Sequence, residues 1–242
     1  MVHTLHVMPS ADQASSWRLA GSPWISATSR SQWGAFPELR PAAVIHHGVD
    51  PEQFVFDPEP EDYVCYLGRF LPEKGPLPAI AAARALGLRL VLAGPPNPYF
   101  HKHVEPLVDG RTVRYAGYVV GDERSRLLGK ARALLYPLQT SEPFGLVIPE
   151  AMMCGTPVVA ARRGAAPELI DEGITGYLAD SAEELAAQVV RSLALDRHRI
   201  RRVAESRFSA QRMAAEYARL FERVLEHRAP GLAAPFLPGG EP

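Results

Sequence analysis

The chain has 242 residues, 47% of them hydrophobic, so it holds enough apolar material for a substantial core. Its 26 basic and 27 acidic side chains leave a formal net charge of −1, which excludes the global positive field that draws proteins onto DNA or anionic lipid, and no nucleic-acid partner is expected. Cys65 and Cys154 stand alone in apolar runs without metal-ligand spacing, the pattern of core thiols in a reducing compartment rather than of a disulfide or zinc site.

Near the N-terminus VHTLHVM, PWISATS and AAVIHHGV each read as a strand, too few for a full Rossmann lobe, and proline-rich FDPEPEDY at 56–63 reads as a linker. From Tyr63 onward short β-rich runs alternate with helical patterns: YVCYLG, LRLVLAG, TVRYAG, ALLYP and TPVVAA. Their starts lie about 20–25 residues apart, the pitch of βα units rather than of hairpins. The runs are continuously apolar, as strands covered on both faces are. The expected fold class is therefore α/β: a doubly wound, Rossmann-like parallel sheet, which binds ligands outside the carboxyl ends of its strands. After Tyr177 the pattern turns helical, with Ser181 and Glu184 spaced as a capping box and a final amphipathic helix in SAQRMAAEYARLFERVLEHR. Ten arginines face five acids between Arg191 and Arg228, a density open to phosphate or peripheral membrane contact; a solvated helix face is the preferred reading. The proline- and glycine-rich tail, 229–242, is expected to be disordered. Arg84 and Arg89 break the longest apolar stretch well short of a ~18-residue membrane span, and the N-terminus has no signal-peptide pattern. A cytoplasmic location is the expectation.

Two loops carry the chemistry. The first, GRFLPEKG, follows the first strand of the main sheet and lacks both the Gly-Lys-Ser/Thr of a Walker loop and the GxGxxG dinucleotide fingerprint. Its charges are Arg69, a planar guanidinium, and Lys74, a mobile ammonium, a pair suited to a diphosphate, although two surface cations in a turn is the other reading. The second, SEPFGLVIPEAMMC, follows ALLYP and should reach the same sheet edge. Pro149, lacking an N–H, is tolerated in the first turn of a helix and so places the helix start just upstream. The backbone amides of Phe144, Gly145 and Leu146 would then be open donors beside an anion. Glu142 and Glu150 would sit at different depths of one cleft, where carboxylates accept hydrogen bonds from the hydroxyls of a nucleotide sugar. The alternative leaves Glu150 a solvated helix residue and Glu142 a helix-dipole partner.

GRFLPEKG, SEPFGLVIPEAMMCGTPVVA, GAAPE and GITG together closely resemble glycosyltransferase family 4, the retaining transferases of GT-B fold, over roughly Val2 to Leu195. The resemblance implies that Arg69 and Lys74 hold the donor diphosphate, Glu150 the ribose and Glu142 the donor sugar, with Phe144, Gly145 and Leu146 facing sugar and phosphate. VHTLHVMP resembles a strand-end motif whose histidine reaches the transferring sugar, so His6 joins Glu142 as a candidate catalytic residue. His47 stands where the family carries asparagine, and no role is assigned to it. The resemblance further implies that residues 1–55 are the remnant of an acceptor lobe with its connection, 56–195 the donor-binding domain and 196–228 C-terminal helices. Most of the acceptor lobe, including its glycine-rich loop, has no counterpart in the sequence.

The expected activity is transfer of a sugar from a nucleoside-diphosphate sugar to a hydroxyl acceptor, with no cofactor and no metal because Arg69 and Lys74 supply the positive charge. The alternative is a non-catalytic nucleotide-sugar-binding chain completed by self-association or a partner; an epimerase of the same fold ranks last.

Overall fold

The computed structural model describes residues 2–8, 10, 12, 15, 24–35 and 41–226, and the expected disordered tail lies outside the described residues. Two parallel sheets make up the architecture. The first has the order β1-β2-β3, from Val2–Leu5, Trp24–Ala27 and Ala43–Val44, with helix α1 (Arg30–Gly34) after β2. All three N-terminal segments read as strands in the sequence are strands.

The second sheet contains β4 (Val64–Leu67), β5 (Leu90–Ala93), β6 (Val113–Tyr115), β7 (Leu134–Tyr136), β8 (Val158–Ala161) and β9 (Gly176–Ala179) in the order β6-β5-β4-β7-β8-β9. From β4 the chain winds outward through β5 and β6, then returns to the opposite flank of β4 with β7. This is the doubly wound order, and its switch point lies between β4 and β7. Helices α2 (Pro76–Ala85), α3 (Gly121–Lys130), α4 (Val147–Met153) and α5 (Ala166–Leu169) lie in crossovers between strands, and α6 (Ala182–Ser192) follows β9.

Both faces of this sheet are dry, which is why its strands read as unbroken apolar runs. Val64 and Tyr66 of β4 point into one core with Leu90, Leu92 and Leu135, under α2 and α6. Cys65 and Leu67 point into the other with Leu134, Val158 and Met152, under α3 and α4. Both cysteines are fully buried free thiols.

Two features depart from the sequence expectation. Strand β9 spans the point, Tyr177, after which the sequence pattern turns helical: only four residues long and at the sheet edge, it is too short to declare a period. The arginine-rich stretch, helices α7 (Arg197–Phe208) and α8 (Ala210–Glu226), is not simply a solvated face. The Arg197 guanidinium donates to the carbonyls of Asp57, Gly129 and Ala131. Arg201 donates to those of Pro51, Phe54 and Met153, Arg207 to Glu168, and Arg212 to His46. These side chains bond carbonyls of the linker region and of the helices α3, α4 and α5 rather than pointing only to solvent.

Helix α8 returns to the first sheet. Leu220 and Val224 pack on Ile45, and the Tyr217 hydroxyl lies 2.9 Å from Thr4 Oγ1 and 3.1 Å from Ser26 Oγ. No helix among the described residues is long and apolar enough to cross a membrane.

Candidate functional site

The loops after β4 and β7 meet at the switch point. The first runs from Gly68 through a short turn, Pro72–Lys74, into α2; the second runs from Pro137 to α4. They are joined by a hydrogen bond from Gln139 N to Glu73 O at 2.8 Å. Gly75 sits in the left-handed region at φ +73°, and a Cβ there would lie 2.0 Å from Pro137 O, so glycine is the residue that permits this approach. Between the loops lies a cleft of about 410 Å³ whose walls include Arg69, Lys74, Tyr118, Arg124, Glu142 and Leu146.

Lys74 Nζ donates to Glu142 Oε2 at 2.6 Å, joining residues 68 positions apart in the chain. The Tyr136 hydroxyl donates to the same oxygen at 2.5 Å. Burial, reinforced by Glu142, pushes the Tyr136 hydroxyl far above its ordinary range, so it remains a donor at any working pH. Ala165 N donates to the backbone carbonyl of Glu142 at 3.2 Å, so the GAAPE segment supports this residue from behind. Arg69 is exposed at the mouth, while its carbonyl accepts from the Tyr66 hydroxyl at 2.8 Å. The backbone of its loop is thereby anchored and the guanidinium is left to the cleft.

Gly145 also borders the cleft, at φ +89°, and a Cβ there would lie 2.6 Å from Tyr136 Oη. Leu146 is 45% exposed beside it. Phe144 is buried behind them, its ring against His46, His47 and Phe208. Glu150 follows in the first turn of α4, only 6% exposed, and its carboxylate is bonded by Arg124 of α3, which does line the cleft. Burial pushes the Glu150 carboxyl upward; the Arg124 guanidinium opposes that shift without cancelling it.

The structure thus brings Arg69, Lys74, Glu142, Gly145 and Leu146 to one cleft, with Phe144 and Glu150 behind its wall. His6 stands apart. It follows β1 in the other sheet, is exposed, and is not among the residues lining the cleft. Its ring is stacked on His47 at 5.3 Å, and His47 meets Phe144 edge-on at 5.0 Å, so two rings connect it to the glutamate loop. Burial, with the nearby His6, His46 and Arg212, pushes His47 down to about 4. Among the described residues no group of three or more His, Cys, Asp or Glu side chains is arranged to hold a metal ion.

Three participants escape sequence reasoning. Tyr136 reads as one more apolar residue of ALLYP, its only signal being its place at the carboxyl end of the strand. Arg124 lies 26 residues from its partner Glu150, beyond any helical spacing. Glu168, quoted only as part of a motif, accepts from the N–H groups of Arg30 at 2.7 Å and Ser31 at 2.6 Å, and lies 3.4 Å from His46 Nε2, linking the two sheets.

Comparison with known proteins places this geometry. The family model described as Glycosyl transferases group 1 matches residues 51–208. D-inositol 3-phosphate glycosyltransferase of Mycolicibacterium smegmatis is 35% identical over 156 residues, covering 57% of this chain and 36% of that protein. Its counterpart in Mycobacterium tuberculosis is 34% identical over 159 residues, with coverage of 58% and 33%. The chain therefore spans about a third of the length of the curated relatives it matches. Among solved structures, AviGT4, a glycosyltransferase involved in avilamycin A biosynthesis, superposes with a TM-score of 0.74 at 31% identity, covering 84% of this chain and 64% of that one. Sucrose-phosphate synthase from Thermosynechococcus elongatus shares the fold at a TM-score of 0.79 and 20% identity, over 93% of this chain and 68% of that one.

Proposed function

We propose, proceeding from the fact that this chain belongs to the glycosyl transferases group 1 family, that it binds a nucleoside-diphosphate sugar in the β4/β7 cleft and transfers the sugar to a hydroxyl acceptor with retention of configuration. One observation carries the reading: a cation and a carboxylate, Lys74 and Glu142, are held in contact on two stitched loops at the switch point of a doubly wound sheet. Such a site meets a donor's negative diphosphate with the cation and its sugar hydroxyls with the carboxylate.

In this reading Arg69 and Lys74 take the diphosphate, Glu150 the ribose, and Glu142 the hydroxyls of the sugar, with Phe144, Gly145 and Leu146 turning their backbone toward sugar and phosphate. When the bond from the anomeric carbon to the diphosphate oxygen breaks, negative charge grows on that oxygen, and the two cations stabilise it there. The acceptor hydroxyl forms the new bond on the same face and gives up its proton to the departing diphosphate. Glu142 positions the sugar and is not assigned as a nucleophile; His6, which the resemblance places at the transferring sugar, lies outside the cleft lining, stacked on His47. The positive charge a metal would bring is supplied by side chains, so donor binding is expected to be unchanged by EDTA.

The test is a panel of nucleotide sugars titrated into the protein and into Lys74→Ala and Arg69→Ala. Loss of a charge-assisted hydrogen bond of about 1.5–3 kcal/mol predicts roughly 10–150-fold weaker donor binding in each variant, with a shallower dependence on salt. Release of nucleoside diphosphate in the presence of hydroxyl acceptors, with the product anomer read by NMR, tests transfer and its stereochemistry. Equal affinity in both variants and the parent would overturn the assignment. Donor binding without turnover would instead mark a donor-binding chain completed by a partner or a second copy.

A further inference from the structure

We propose that Arg124 is a positioning residue for the nucleoside end of the cleft, holding the Glu150 carboxylate in place so that the two side chains together read the vicinal diol of a ribose. The inference rests on the donor-binding reading above and extends it to a residue outside the family motifs. Arg124 projects from α3, its guanidinium bonded to Glu150 Oε2, and it lines the cleft while Glu150 lies behind it. The side chain of Arg124 is 34% exposed and that of Glu150 9%, so an incoming ligand meets the guanidinium before it meets the carboxylate. The guanidinium is also incompletely used: Arg124 Nε is buried and has no hydrogen-bond partner. Leaving a buried donor unpaired is costly, and such groups in native proteins call for a reason.

A vicinal diol entering the cleft would meet the exposed part of that guanidinium rather than the buried Nε. Its two hydroxyls offer two donors and several acceptor lone pairs. A carboxylate accepts from them and a guanidinium, which only donates, fills the acceptors. A lone buried glutamate would take the hydroxyl donors and leave the acceptors unmet. It would also drift toward its neutral form, because burial pushes the carboxyl up and only the adjacent cation resists.

The other groups around α4 do not substitute for Arg124. The Cys154 thiol, at the end of the helix, is pushed up to about 12 and stays neutral. Arg201 of α7 is engaged by the Pro51, Phe54 and Met153 carbonyls and by Glu205. Tyr136 of β7 is bonded to Glu142, and Glu168 of α5 is held by Arg30, Ser31 and His46. Strand β8 contributes only Val158, Val159, Ala160 and Ala161.

The experiment uses UDP, GDP and their 2′-deoxy counterparts as probes, titrated into the protein, Arg124→Met, Arg124→Lys and Glu150→Gln at pH 6 and pH 8.5. A thermal melt of each variant separates loss of binding from loss of fold. The parent's affinity for its preferred ribonucleotide is the reference at each pH, since the probe's terminal phosphate itself titrates at about pH 6. Arg124→Met should bind that ribonucleotide about 10-fold more weakly than the parent at pH 8.5 and weaker still at pH 6, since an unopposed buried carboxyl gains a proton as pH falls and stops accepting from both hydroxyls. Arg124→Lys, which keeps the cation, should restore the parent's pH profile. With the 2′-deoxy probe the penalty of Arg124→Met should shrink to less than about 3-fold, because one of the recognised hydroxyls is already gone. An affinity equal to the parent's at both pH values in Arg124→Met, alongside weakened binding in Glu150→Gln, overturns the role of Arg124 and leaves the donor site standing. Undiminished affinity in Glu150→Gln as well overturns both.

Discussion

Two donors converge on one atom of Glu142. Lys74 and Tyr136 both bond to Oε2, so the second carboxylate oxygen is the one available to a sugar hydroxyl. In the proposed reading Lys74 serves two partners of the same sign, the glutamate before a donor arrives and the diphosphate afterwards. Tyr136 would make that exchange tolerable, its neutral hydroxyl keeping hold of Oε2. Removing it by Tyr136→Phe costs about one hydrogen bond, ~1 kcal/mol. The expected result is a 3–10-fold weaker affinity for the intact nucleotide sugar with no change for the free nucleoside diphosphate, measured by paired titrations. At this scale the sequence was informative where spacing carries meaning. Arg69, Lys74 and Glu142 stand in loops, and Glu150 in the first helical turn after one, where punctuation by glycine and proline announces them. Tyr136 and Arg124 lie inside a strand and a helix, where an apolar run and a charged surface are the ordinary readings, and only the folded chain brings them to the cleft.

Among the elements, α7 does more than cover a core. Arg197 and Arg201 act as staples from one helix to several loops, occupying carbonyls of the linker, of the α3 terminus and of the α4 terminus. Replacing Arg201 by Met should remove its bonds to the Phe54 and Met153 carbonyls and cost about 1–3 kcal/mol of stability, read as a lower midpoint in urea at unchanged slope. The effect should reach the cleft as well, because the Met153 carbonyl belongs to the helix that carries Glu150. Charge patterning alone shows an arginine-dense segment as a solvated face; whether a guanidinium turns inward depends on which carbonyls the tertiary fold brings within its reach. Strand β9 escaped notice for a related reason. Four residues at a sheet edge carry too little pattern, and their identity as a strand comes from pairing with β8.

Across the whole molecule, one carboxylate, Glu168, links the two sheets. Burial alone would push the Glu168 carboxyl up, but His46 and the amides of Arg30 and Ser31 outweigh it and hold it below the usual range. A carboxyl lowered by folding contributes stability that is present above the unfolded value, about pH 4.3, and lost as pH falls through the folded one. Glu168→Gln should therefore weaken the contact at neutral pH. Amide exchange is expected to quicken at Arg30 and Ser31 while the amides of β4, β5 and β7 keep their protection. If protection falls equally everywhere, Glu168 supports the general fold rather than the junction. The division into two sheets is visible in the sequence as a change of pattern near the proline-rich linker. The junction itself is not, because Glu168 and its amide partners are 137 and 138 positions apart.

The return of α8 to the first sheet also has a consequence for how the protein is made. Thr4 and its Tyr217 partner are separated by 213 positions, which at about 5–20 residues per second is roughly 10–40 s of translation. Throughout that interval the strands of the first sheet wait with the surface meant for Leu220 and Val224 still bare, so a chaperone has its opportunity there until α8 is made.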